Sequence, residues 1–526
     1  MNHSQQSRIA RNATVLAALT MVSRVAGLVR DFMITHFFGA SGLTDVFYMA
    51  FTIPNVLRRL VAEGTLTTVV QPAYQRARSE VGEDGALRLY AALQGFVLFA
   101  VLLMAAVGMA AAGPIVWAFA AGFAEQPSKF ALTVELTRWL FPLVITMGII
   151  GLTMAVLNAH EEYAAPALSP IILNIAMITG TIIGALLLEN QVMGIVAGVL
   201  VGGVLQVFGQ VPALRRHGLL VAPTLGWGEP RVRAALAQFI PGLFSLAVYQ
   251  INIVILRQLA SHMGEGSVSY YYTSDRLMEL TNGVFAIAIA QGAFSAMNET
   301  AQRGDLEGLK RLWRFTFELA NLIAIPAATG LAFLAKPIVA VLFLHGRFGW
   351  HDVEQTALNV VCASFGLIFT ASVRGTLQVF YALEDRRTPV AVSVVTVLVN
   401  LFVGLAVVRA GIGVHGLSFT LAVSSAVQAV LLAALARGRL GALGVRGIVV
   451  DAAIKLGLAL VACGTAWGVT RLGDWRTGFS ATNAAVLFGA ISVAVVLYAV
   501  GAVQLRLTGA DDFARKVSAR LRRRRP

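Results

Sequence analysis

From residue 13 to residue 505 the chain is one apolar stretch after another, and this succession limits its fold more than any motif does. A helix needs roughly 20 mostly apolar residues to cross the hydrocarbon core of a bilayer. Fourteen stretches qualify, at about 13–37, 44–70, 88–112, 130–158, 165–188, 192–213, 235–262, 267–292, 314–335, 355–382, 388–409, 413–436, 447–470 and 482–505. Several exceed a minimal span, so tilts and kinks are expected. Strand-length segments of alternating polarity are absent, which argues against an outer-membrane barrel.

Composition points the same way. The chain is 57% hydrophobic and 13% charged, with a mean hydropathy of +0.75, where a soluble domain carries about 25% charged residues. It cannot hide that surface by folding on itself in water, which excludes a soluble enzyme, a secreted disulfide scaffold and a nucleic-acid-binding domain. Cys362 and Cys463 both lie in apolar runs, so neither a disulfide frame nor a metal site is expected. The first stretch is long and carries Arg24, Arg30 and Asp31, unlike the short core of a cleavable signal peptide.

The net charge of +14 is then read as topology. Five Lys and Arg residues fall in the odd-to-even connections (Lys129, Arg347, Arg409, Arg471 and Arg476), against 26 in the tails and even-to-odd connections. Positive charge is retained on the cytoplasmic side, so both termini are expected there, with an even number of crossings. The ending Arg522–Arg525 reads as a basic tail near anionic headgroups.

The chain also repeats itself. Pro114-Ile115-Val116 returns as Pro337-Ile338-Val339, and Ala159, Glu161 and Pro166 as Ala382, Glu384 and Pro389, each shifted by 223. Gly194 matches Gly416 and Gly42 matches Gly266 within one residue of that offset. A six-span unit returns the chain to its starting side, so the two lobes are expected to be parallel repeats with a substrate site between them. The expected organisation is a lobe at 1–220, a second at 221–440, two extra transmembrane helices at 441–508 and a basic tail at 509–526. The fold class is an all-α integral membrane protein of fourteen transmembrane helices, two parallel six-helix lobes surrounding a central cationic cavity.

A charge at mid-bilayer costs about 3 kcal/mol or more, so each needs a reason. Span one carries Arg24, Arg30 and Asp31; span two Asp45, Arg58, Arg59 and Glu63; span eight Asp275, Arg276 and Glu279. These spans are expected to face a wet space between the lobes. At about 100° per residue Arg24 and Asp31 share a face and Arg30 points elsewhere. Arg59–Glu63 and Arg276–Glu279 have local pairing distances along a helix, and the first reads equally well as neutralisation or as a substrate contact. Arginine exceeds carboxylate in this set. Guanidinium forks match phosphate oxygens and stay charged at any cellular pH, so Arg24, Arg30, Arg58 and Arg276 are candidate anion-binding residues. Asp31, Asp45, Arg59, Glu63 and Glu279 are candidates for gating or charge-pairing. Gly27 and Pro54 are candidate hinges, with a static kink and close packing as the alternatives. Gly198 and Gly202 have packing spacing, and Asn174 and Asn400 are placed to hydrogen-bond across helices. No nucleophile–base pair or metal-ligand cluster stands out.

The runs Ser23-Arg24-Val25-Ala26-Gly27-Leu28-Val29-Arg30-Asp31, Phe38-Gly39-Ala40, Thr44-Asp45, Ile53-Pro54-Asn55-Val56-Leu57-Arg58-Arg59-Leu60-Val61-Ala62-Glu63-Gly64 and Ser274-Asp275-Arg276-Leu277-Met278-Glu279 resemble the MurJ (MviN) family. These are bacterial lipid II flippases of the multidrug/oligosaccharidyl-lipid/polysaccharide exporter superfamily. The likeness extends over essentially the whole chain. Thr65-Leu66-Thr67-Thr68 departs from the usual family run and leaves the charges intact. The resemblance implies alternating-access transport of undecaprenyl-pyrophosphoryl disaccharide-pentapeptide (lipid II) from the inner to the outer leaflet of the bacterial cytoplasmic membrane, for cell wall synthesis. It implies functional roles for Arg24, Arg30, Arg58 and Arg276, acidic partners at Asp31, Asp45 and Glu63, and a groove for the polyprenyl tail in the last two spans. No cofactor is expected; a coupled ion or the membrane potential supplies the driving force. Expected partners are lipid II and membrane lipids, with no nucleic acid. The alternative, a drug/cation antiporter or another polysaccharide-lipid exporter of the superfamily, predicts surplus intramembrane carboxylate for the antiporter. A membrane transferase on polyprenyl phosphates would need an acidic metal cluster or a catalytic base, which the sequence does not offer.

Overall fold

The computed structural model describes residues 3–60, 66–226 and 228–510, and every regular element among them is helical. The chain forms two compact units, Met1–Val268 and Ser269–Pro526. The first holds α1 (His3–Phe38), α2 (Gly42–Arg58), α3 (Thr67–Ala110), α4 (Ala112–Phe119), α5 (Pro127–Leu140), α6 (Leu143–Ala159), α7 (Ala164–Leu187), α8 (Gln191–Arg216), α9 (Pro230–Ala237) and α10 (Phe239–Ser261). The boundary falls at the start of α11 (Ser267–Gln302). The second unit continues with α12 (Leu306–Phe343), α13 (Trp350–Ala382), α14 (Arg387–Arg409), α15 (His415–Leu440), α16 (Val445–Thr470) and α17 (Ala481–Gln504).

Ten segments among the described residues are long and apolar enough to cross a membrane: α3, α5 with α6, α7, α8, and each of α12 to α17. The protein is a multi-pass membrane protein. Exposed Phe402, Val461 and Phe488 leave large apolar side chains outward on α14, α16 and α17, as lipid-facing helices require. Caps mark where chain direction changes. Ser41 accepts from the Thr44 N–H at the start of α2, Asp305 from the Gly308 N–H at α12, and Ser480 from the Asn483 N–H at α17.

The stretch expected as one span at 44–70 is divided. Helix α2 ends at Arg58, the backbone widens to a π turn at Arg59 and Leu60, and α3 opens at Thr67. Helix α3 runs on to Ala110 across a break at Gly82, whose φ of 74° needs a residue without a Cβ. Arg58 and Arg59 thus lie where α2 ends, and Glu63 falls outside the described residues.

The repeat is written into the backbone. Glu161 and Glu384, 223 residues apart, are both left-handed at φ 60° and 58°, an unusual state for a side chain larger than glycine. After α6 the Glu162 N–H bonds the Leu157 carbonyl at 3.0 Å; after α13 the Asp385 N–H bonds the Phe380 carbonyl at 2.9 Å. Gly82 and Gly304, and Gly218 and Gly441, are further left-handed pairs at the same offset within one residue. Neighbours recur as well: α3 packs on α6, α6 on α8 and α7 on α8 in the first unit, and α12 on α13, α13 on α15 and α14 on α15 in the second.

Helices α7 and α8 meet backbone to backbone. A Cβ on Gly184 would lie 2.4 Å from the Gln191 carbonyl oxygen, and one on Gly198 2.6 Å from that of Ala176. The small-residue spacing read from the sequence is therefore packing. Helix α16 lies on α12 and α17. Its Lys455, with no solvent exposure, bonds Asp451 at 2.5 Å and the Glu318 carbonyl at 2.8 Å, while Arg314 pairs with Glu318 at 2.7 Å. Ile325, Ala459, Ala462, Tyr498 and Ala502 fill the apolar seam alongside.

Candidate anion-binding and gating residues

In α1 the arginine run does not stand as helical geometry alone suggests. The Arg30 guanidinium turns back onto its neighbour Asp31, donating from Nε at 2.9 Å and Nη2 at 2.6 Å, and from Nη1 to Asn174 Oδ1 of α7 at 3.0 Å. Arg30 is only 4% exposed. A long flexible side chain reaches across the angle between adjacent residues, because an uncompensated charge here would cost far more than a bent rotamer. The surplus positive charge expected at this position is therefore reduced: Arg30 and Asp31 form a buried ion pair. Asn174 completes the tie by donating to the Ser23 carbonyl at 3.3 Å, as an asparagine placed to bond across helices should. Helix α1 runs without a break through Gly27, whose missing Cβ would sit 3.7 Å from Asn174. Arg24 is half-buried on the same helix.

Helix α2 is also continuous through Pro54, although the ring removes one backbone donor. Arg58, half-buried, bonds Asn55 through Nε at 2.8 Å, and Arg59 follows in the wider turn. At the other end of the helix Asp45 is 1% exposed and accepts from Lys129 Nζ of α5 at 3.1 Å and from the Gly266 N–H at 2.8 Å. Glu265 in turn accepts from the Gly42 N–H at 2.6 Å. Gly42 and Gly266 are repeat-related, so the beginnings of α2 and α11 are each held by a carboxylate from the other, a reciprocal clasp. Each carboxylate also meets unpaired N–H groups at a helix start, where negative charge is favoured. Asp45 is thus a charge-pairing residue, but with a lysine that composition places in a loop. Arg257 of α10 donates to Thr52 of α2.

In the second unit Arg276 pairs with Glu279 at 2.6 Å and lies over the Tyr272 ring at 5.6 Å. The spacing of three along a helix makes that pairing local. Both side chains stay partly exposed, at 28% and 37%. Tyr270, six residues before Arg276, donates to Asp352 at the start of α13 at 2.7 Å.

The sequence-derived set therefore separates. Arg30 joins Asp31, Arg276 joins Glu279, and Asp45 joins Lys129. Lys129 and Glu265 are site residues that sequence reasoning did not select, and it did not foresee Arg30 as the partner of Asn174 or Thr52 as that of Arg257. Their partners lie 84 to 223 positions away, which no local spacing reveals. No group of three His, Cys, Asp or Glu among the described residues is placed to hold a metal ion. The chemistry on offer is reversible ion pairing and anion recognition by guanidinium.

Known proteins place this arrangement. The chain is similar to the lipid II flippase MurJ of Burkholderia cenocepacia, at 31% identity over 80% of this chain and 82% of that protein. It is similar to a probable lipid II flippase MurJ of Vibrio cholerae, at 30% identity over 93% and 95% of the two chains. A solved lipid II flippase MurJ in an inward-closed conformation shares the fold, with a TM-score of 0.78 at 20% identity over 94% of this chain and 99% of that one. A multidrug resistance MATE family transporter of the MOP superfamily shares it more loosely, with a TM-score of 0.67 at 16% identity over 82% and 98%. The family model for lipid II flippase MurJ matches residues 34–486, from the end of α1 into α17. With that match covering most of the described helices, the chain belongs to the lipid II flippase MurJ family.

Proposed function

We propose that this protein is a transporter that flips lipid II from the inner to the outer leaflet of the bacterial cytoplasmic membrane, supplying peptidoglycan synthesis. Family membership over nearly the whole chain carries this reading, and the arginine chemistry fits it. Fourteen spans place both termini in the cytoplasm, in keeping with the 26-to-5 distribution of Lys and Arg. Two parallel six-span lobes flank a cationic cavity, and the last two spans, outside the repeat, take the polyprenyl tail. Access alternates as the lobes rock. The membrane potential or a coupled ion drives the cycle.

Arg276 is the guanidinium best suited to the pyrophosphate. Its pairing with Glu279 is local and partly exposed, so exchanging that carboxylate for a phosphate costs little. Arg24 and Arg58, both half-buried, are the candidate phosphate-binding guanidinium groups of the first unit. Arg30 with Asp31 shapes the wall. In this orientation the Asp45–Lys129–Gly266 clasp lies on the periplasmic side and must part for the headgroup to leave. The test is complementation of a flippase-depleted bacterium, read with a leaflet-resolved assay of lipid II. Restored growth with lipid II exposed outside is expected; growth failure of a well-expressed, membrane-inserted protein would overturn the reading.

A further inference from the structure

Among the described residues, a cluster of titratable groups outside the transport residues sits where α6, α8 and the break in α3 meet. His160 caps α6, its side chain only 8% exposed. Its Nε2 lies 3.1 Å from the Tyr74 hydroxyl, which donates to Glu83 at 3.1 Å. Since the Tyr74 proton goes to Glu83, the Tyr74 oxygen is left to accept from His160 Nε2–H, the tautomer of a neutral imidazole. Glu83 is anchored by Arg78 at 2.6 Å. On its other flank the His160 ring stands 5.2 Å from that of His217, at the end of α8. Glu162 lies 3.9 Å from both His217 and Arg216. Tyr74 and Arg78 precede the left-handed Gly82 and Glu83 follows it, so the cluster fastens both sides of the α3 break to the ends of α6 and α8.

We propose that this cluster is a proton-operated latch, closed while His160 is neutral and opened by its protonation. A proton added to His160 places a cation on a side chain only 8% exposed, beside the His217 ring and near the Arg78 guanidinium. Glu83 Oε1, 3.6 Å from His160 Nε2, offsets it, but Glu83 is already shared with Arg78 and Tyr74, and Glu162 faces His217 and Arg216 instead. Burial first, then Arg78, then His217 depress the His160 pKa below the ordinary histidine value, with Glu83 opposing. Charging therefore works against the closed state. For a group whose native pKa is lowered in this way, the penalty is absent at higher pH. It sets in as pH falls through the ordinary histidine value, about 6.5, and is complete below the native value. On the orientation proposed above the latch faces the cytoplasm. It goes beyond the transport reading and stands whichever substrate the protein carries.

The test uses the full-length protein in liposomes with Cys362→Ser and Cys463→Ser, spin-labelled at Ser79→Cys on α3 and Leu220→Cys beyond α8. Distances are measured by double electron–electron resonance from about pH 8 to about pH 5, a range that brackets histidine titration. One population is expected at the upper end, with a second, longer one growing on acidification. His160→Gln, which keeps a donor towards Tyr74 but cannot charge, should hold the single distance throughout. His217→Gln should move the transition to higher pH, because the ring that opposes protonation is gone. Glu83→Gln should move it to lower pH. A wild-type distance independent of pH, or an undiminished response in His160→Gln, overturns the latch. Should His160→Gln fail to fold, the opposite displacements of the other two variants decide, and shifts of the same sign or of zero overturn it.

Discussion

Arg30 and Arg276 carry the same sequence signature, a basic residue beside acids in a helix otherwise fit for a membrane, yet the two units use them differently. Arg30 is sealed between α1 and α7, with Asp31 and Asn174 on its guanidinium. Arg276 holds Glu279 over one helical turn with both side chains partly exposed. Sealed pairs are hard to break and contribute little to ligand exchange, since removing one partner leaves the other charged in a poor solvent. Open pairs contribute little to stability and can trade partners. Charge inside a membrane is thus two different resources, a strut and a socket, and solvent access separates them.

The sharpest way to break this contrast is Arg30→Ala. It strands Asp31 and should lower unfolding stability by about 3–5 kcal/mol, measured by denaturant titration in detergent. Arg30→Met with Asp31→Leu removes both charges and should recover much of that loss. If the recovered protein still exposes lipid II normally, Arg30 is purely a strut; if it is stable and inactive, the guanidinium also meets substrate.

Arg276→Ala should do the reverse. Losing one charge-assisted phosphate contact removes about 2 kcal/mol, or a roughly 30-fold drop in flipping. Stability should change by less than about 1 kcal/mol. Arg276→Lys should restore only part of the rate, because an ammonium cannot grip two oxygens as a planar fork does. Full activity of Arg276→Ala in a leaflet-resolved assay would erase the distinction.

How far each of these residues could be read in advance follows the same divide. The apolar stretches at 165–188, 192–213, 388–409 and 413–436 became α7, α8, α14 and α15 almost residue for residue, because hydropathy alone fixes a lipid-facing helix. Arg276–Glu279 was legible because it is a pair within one turn. Asp45 was legible as important but not as the partner of Lys129, and Asn174 not as the clamp on Arg30, since those contacts depend on which helices touch. The division of the 44–70 stretch was hidden too: Pro54 is the residue that announces a disruption, yet the helix passes through it and ends after Arg58.

The clasp offers a third probe, within one unit. Asp45, buried and holding Lys129 as well as the Gly266 N–H, should cost roughly 2 kcal/mol as Asp45→Asn. Glu265→Gln, on the exposed side of the same reciprocal pair, should stay below about 1 kcal/mol. Thermal unfolding of the two variants side by side measures the difference. Equal losses would show that burial is not what separates strut from socket.

The smallest effect tests the repeat-related pairs, Glu162 with Arg216 and Asp385 with Arg439. The positions correspond, but the distances are 3.9 Å and 3.0 Å. Asp385 also takes the Thr388 N–H at 3.0 Å and its hydroxyl at 2.8 Å. That N–H, then that hydroxyl, and more weakly Arg439, hold the Asp385 carboxyl below its ordinary range. A carboxylate lowered in this way stabilises the fold above the unfolded aspartate value, about 3.9, and the contribution is lost as pH falls through the native one. Asp385→Asn should therefore cost under about 1 kcal/mol at neutral pH and flatten the acid limb of the stability profile. Breaking the looser pair with Arg216→Ala should leave that limb unchanged. Were both to flatten it equally, the Thr388 donors would not be what distinguishes the second unit, and the arginine alone would set the strength of each pair.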